Sequence, residues 1–68
     1  MYSFLAEKTN TGYSAISEDM DELPVASTGK DLTELNDNIL LGINLYREHA
    51  GLFPITDDNF IIKCQLPL

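Results

Sequence analysis

The chain has a single cysteine, Cys64, a single histidine, His49, and no tryptophan. One thiol cannot close an intramolecular disulfide, and no Cys/His cluster has the spacing of a zinc site. An unpaired thiol suits a reducing compartment, so a cytoplasmic location is expected. Basic residues are scarce. Lys8, Lys30, Arg47 and Lys63 are scattered among eleven acidic residues, for a formal net charge of −7. Proteins hold phosphate backbones by displacing counterions with Lys and Arg, and there is no basic stripe here, so direct nucleic-acid binding is not expected. No apolar run approaches the roughly 18 residues of a membrane span. Met1-Tyr2-Ser3-Phe4-Leu5-Ala6 runs directly into Glu7 and Lys8 without the apolar stretch of a signal peptide. Gly12, Gly29, Gly42 and Gly51 lie too far apart for a phosphate-binding loop, no serine sits in a nucleophile elbow, and Cys64 has no activating neighbour in sequence. Neither an enzyme nor a cofactor is expected.

What is present is apolar enough to fold: 44% of the 68 residues are hydrophobic, too many for a disordered tail. The length allows a single domain, residues 1–68, with no linker and no internal repeat. A domain of roughly 60 residues buries only about 60% of the surface its unfolded chain exposes. Without disulfide or metal, association is the remaining supplement to so thin a core.

Two periodicities divide the chain. Tyr2 to Lys8 alternates, with Tyr2, Phe4 and Ala6 on one face and Ser3, Leu5 and Glu7 on the other. Thr9-Asn10-Thr11-Gly12 has turn chemistry, and Tyr13 to Glu18 alternates again, so the pair reads as an antiparallel hairpin. After the acidic connector Glu18 to Pro24, Val25 to Thr28 is a short third strand, with Pro24 at its start or at a sheet edge. From Leu32 the period becomes helical. Leu32, Leu35, Ile39, Ile43 and Tyr46 form a stripe that packs on a sheet, with Gly42 beside it. Asp31 and Glu34 have capping-box spacing, Arg47 and His49 suit the negative end of the helix dipole, and Gly51 is placed to end the helix, which is expected over Leu32–Ala50. Leu52-Phe53-Pro54-Ile55 is an apolar loop and Thr56-Asp57-Asp58-Asn59 a turn. Phe60 to Leu66 is a last strand ended by Pro67, in which Cys64 shares the buried phase of Phe60 and Ile62.

The order is β-β-β-α-β. It predicts an α+β fold with one mixed sheet in the strand order 3-2-1-4 and one long helix packed on one face. The opposite face, with Leu5 and Ile16, is left to solvent or to a partner.

Three groups stand outside this core logic. Glu18, Asp19, Asp21 and Glu22 put four carboxylates into five residues, which makes a local negative field. Asp57 and Asp58 form a smaller pair. Neither group follows a calcium-loop pattern, so no metal site is assigned. On the helix, Leu41 and Leu45 project more than about 100° away from the centre of the packing stripe. They are either covered by the Leu52–Ile55 loop folding back or offered to another chain. Glu18, Asp19, Asp21, Glu22, Leu41 and Leu45 are therefore the candidate protein-interaction residues. His49, at a helix end, is read as a surface residue.

Several segments together resemble the HicB-type antitoxins: Phe4-Leu5-Ala6-Glu7-Lys8, Gly12-Tyr13-Ser14-Ala15, Asp21-Glu22-Leu23-Pro24, and Thr28-Gly29-Lys30-Asp31-Leu32-Thr33-Glu34-Leu35 followed by Asn38-Ile39. In that family an I-x-x-E strand leads to G-Y-x-A, D-L-P-G and a G-x-T-x-E-E helix start. The chain departs from the pattern at Glu22, at Asp31 in place of the capping Thr, and at Leu40-Leu41-Gly42. The resemblance implies a partial RNase H-like fold without RNase activity, in a protein that neutralises a small basic RNase toxin of the HicA type by covering it. The family's C-terminal DNA-binding segment has no counterpart in this sequence, so DNA binding is not implied.

The expected function is thus a non-enzymatic interaction module, antitoxin-like, with a basic HicA-like protein as partner. The rival readings are a structural homo-oligomer and a small acidic metal-binding or hydrolase domain. A homodimer is expected in either of the first two readings, through the Leu41–Leu45 strip or through a sheet edge.

Overall fold

A computed structural model describes residues 1–64. Its elements are β1 (Tyr2–Lys8), β2 (Tyr13–Ser17), β3 (Ala26–Gly29), α1 (Leu32–His49), a 3₁₀ turn (Asp57–Asn59) and β4 (Phe60–Cys64). The sheet order is β3-β2-β1-β4, with β1–β2 and β2–β3 antiparallel and β4 parallel to β1. This is the expected α+β arrangement with one mixed sheet. The stretch from Gln65 onward, including the expected end of the last strand at Leu66 and Pro67, lies outside the described residues.

Alternation decides which side chains meet the helix. Phe4, Ala6, Ala15 and Phe60 are buried on the helix side, where Phe4 and Phe60 meet edge to face at 6.0 Å. Leu35, Ile39 and Ile43, at spacings of four, close that side completely. The helix packs most closely on β3 and then on β2. Two glycines permit that approach. A Cβ on Gly42 would stand 3.0 Å from Val25 Cγ1, and one on Gly29 would stand 2.4 Å from the backbone nitrogen of Leu35.

The helix ends follow from local chemistry. Asp31, in extended backbone, accepts the Glu34 N–H on its carboxylate at 2.8 Å. The reciprocal half of a capping box, from Glu34 back to the Asp31 N–H, is absent. At the other end the Gly51 N–H bonds Glu48 O and the Leu52 N–H bonds Arg47 O, at 3.1 and 2.7 Å. With Gly51 at φ 75 this is a Schellman motif, which makes Ala50 the cap rather than the last helical residue.

The structure corrects four expectations. Leu32 is in phase with the stripe yet 47% exposed, because it sits one turn before Leu35, whose backbone already rests on Gly29 at the end of β3. Cys64 is exposed instead of buried. Burial falls along β4 from Phe60 through Ile62 to Cys64, since the helix covers β3 and β2 and leaves the far end of β4 open. β3 runs Ala26–Gly29, one residue later than expected, although Val25 is buried. The polar connector hides a core residue, Leu23, which is 1% exposed.

Candidate interaction surface

The connector between β2 and β3 is organised by one carboxylate. Asp19 Oδ1 accepts the N–H groups of Asp21 and Glu22 at 3.2 and 3.1 Å, while its carbonyl accepts from Leu23 N–H at 2.9 Å. Buried Ser17 braces the same residue, its Oγ donating to Asp19 O and accepting from Asp19 N–H. This wrap turns Leu23 inward. An aspartate suits such a turn because its short side chain reaches backbone donors two and three residues on.

Glu18 is engaged differently. Its carboxylate meets Lys63 Nζ at 3.0 Å, across β1, and its N–H donates to Ser3 O. The hydrogen bond from Lys63, then one from Ser3, hold its carboxyl below the usual carboxylate range. Glu18 and Asp19 therefore work within the fold. Asp21 and Glu22 are exposed, and among the described residues their carboxylates have no bonded partner.

Leu41 and Leu45 are 60% and 52% exposed. The Leu52–Ile55 segment does not fold over them. It is held along the other flank of the helix, where Asn44 grips Ile55 through two bonds, Nδ2 to Ile55 O at 3.1 Å and Ile55 N–H to Oδ1 at 2.8 Å. Arg47 donates Nε to Phe53 O and Nη1 to Tyr2 OH at 2.6 and 2.8 Å. Phe53 itself is left 87% exposed. Glu34, Asp37 and Glu48 are exposed on the same outward arc as Leu41 and Leu45, which gives the apolar pair an acidic fringe. Helical periodicity carried that information, but only the two leucines stood out by it.

The helix is tied along β3. Asn38 donates Nδ2 to Thr28 O, Ser27 donates Oγ to Asn38 O, and Gly42 lies on Val25, so the helix runs back along β3 towards the connector. His49 is exposed.

Among the described residues no group of three or more His, Cys, Asp or Glu side chains gathers around a common point. No helix among them is long and apolar enough to cross a membrane. No family model, curated protein or solved structure matches this chain.

Proposed function

We propose that the chain is a non-enzymatic interaction module of the HicB-like antitoxin kind, with a partial RNase H-like fold, which neutralises a small basic HicA-like RNase toxin in the cytoplasm by occlusion. The observation that carries this reading is the outward helix surface, where Leu41 and Leu45 stand exposed within a fringe of Glu34, Asp37 and Glu48. An apolar centre with a charged rim is the anatomy of a protein contact, and a rim of one sign selects a partner of the other. The net charge of −7 would speed the encounter with a cationic protein. The sequence resemblance, which runs from Phe4 to Ile39, supplies the class of that partner.

The test is co-expression of the tagged chain with a short basic protein encoded in the neighbouring reading frame. A stoichiometric complex that protects RNA from the partner supports the reading, and Leu41→Lys with Leu45→Lys should abolish it while the far-UV spectrum is unchanged. No such neighbour, or a basic neighbour that stays unbound beside the folded chain, overturns it.

A further inference from the structure

The sheet face turned away from α1 has a relief and a charge unlike the rest of the surface. The strand register arranges its side chains in three rows. Ala26, Ile16, Leu5 and Lys63 lie side by side in the middle row. Thr28, Ser14 and Glu7 form the row on one side. Glu18, Ser3 and Ile61 form the other. Bulky groups thus collect as a ridge of Leu5, Ile16 and Ile61, while Ala26, Ser14 and Thr28 leave a trough beside it. A shallow, mostly apolar hollow of about 570 Å³ lies over that trough, lined also by Leu5, Ile16 and Glu7. Ile16 and Ile61 are 47% and 44% exposed.

We propose that this face is a homodimer interface in which the Leu5–Ile16 ridge of each copy fills the trough of the other. Three observations select a second copy as the occupant. An isologous contact needs a shape and its complement on one patch, and the ridge and trough supply both. The ionisable groups on the face are Glu7 and the internal Glu18–Lys63 ion pair, which leaves one net negative charge where the chain carries seven. It is the surface on which two such acidic chains meet with least repulsion, whereas the Leu41–Leu45 strip would bring acidic fringe against acidic fringe. At the edge of β3, Asn38 of α1 occupies the Thr28 carbonyl. The area sets the strength. Four strands span roughly 20 Å by 20 Å, about 400 Å² in projection. Stable interfaces bury nearer 800 Å² per partner, so the dimer is weak.

The test is sedimentation equilibrium on the full chain over a concentration series up to about 1 mM, where a weak dimer is populated. The expected result is an average mass rising from 7.6 kDa towards twice that value. Ile16→Arg should weaken the dimer at least tenfold, and Leu41→Arg should leave it unchanged, with circular dichroism confirming that each variant is folded. Ala26→Leu separates shape from stickiness. It adds apolar area but fills the trough, so it should weaken the dimer. A monomer throughout, a dimer broken by Leu41→Arg but not by Ile16→Arg, or a dimer tightened by Ala26→Leu would each overturn the proposal. None of these outcomes bears on occlusion of a basic partner by the helix surface, which is a separate face.

Discussion

The two faces of the sheet are built from the same strands, yet they have opposite fates. Phe4 is fully buried and its neighbour Leu5 only half; Ala15 is 5% exposed and its neighbour Ile16 47%. Alternation assigns each residue to a face, but a cover has to exist before the face becomes a core. One helix can close only one side of a four-stranded sheet, so the chain has a single core and a second apolar face that it cannot bury by itself. Apolar character alone therefore does not show what a residue contributes to stability here; its position relative to α1 does.

The largest effects should come from the closed side. Ile39→Asp puts an unpaired charge among Leu35, Ile43 and the sheet and should leave the chain unfolded by circular dichroism. Ile39→Ala should keep the fold and cost about 3 kcal/mol in urea denaturation, from lost transfer energy and the cavity left behind. Ile16→Thr, on the open side, should change stability by no more than about 0.5 kcal/mol. Equal losses at the two positions would end the distinction between the faces.

The next effect concerns how the chain leaves the helix to reach β4. Asn44 replaces a missing strand partner for Ile55, giving and receiving one bond each with its backbone. Asn44→Ala removes both and should cost about 2 kcal/mol, measured as a lower urea midpoint. Asp31→Ala, which strips the cap from the helix start, should cost about 1 kcal/mol by the same measurement. If the cap proves the more expensive loss, the helix start rather than the return segment limits stability.

These two positions also show what can be read from the sequence. Asp31 acts within four residues of itself, so its role follows from local spacing, as do the three buried helix positions and the alternating strands. The strand order was legible because one capped helix lay between three strands and a fourth. Asn44 was not, because its partner lies eleven residues away and only the fold brings Ile55 to it. Leu23 was hidden for a related reason: Asp19 bends the connector so that one apolar residue among acids points inward. Cys64 had the right phase for burial but lies beyond what the helix covers, and Leu32 had it but precedes the part of the helix that packs on the sheet. The candidate interaction residues Glu18, Asp19, Asp21, Glu22, Leu41 and Leu45 are all exposed, and Glu18 and Asp19 also bond within the chain.

The smallest predicted effect belongs to the open face. Lys63 and Ser3 favour the charged form of Glu18, so its folded pKa lies below its unfolded one. Such a group stabilises the fold above the unfolded pKa and loses that contribution as pH falls through the folded one. Both partners are substantially solvated, at 56% for the Lys63 side chain and 31% for that of Glu18, so water screens the pair and the effect is slight. The urea midpoint of the native chain should therefore fall a little more than that of Glu18→Gln as the solution is taken from neutral to about pH 3. Raising the salt should shrink the difference between the two curves, since the interaction is one between exposed charges. Parallel curves at low salt would mean that the Lys63–Glu18 contact, although short, does not tie β4 to β2. A gap as large as that from Asn44→Ala would instead make the open face a contributor to stability on a par with the closed one.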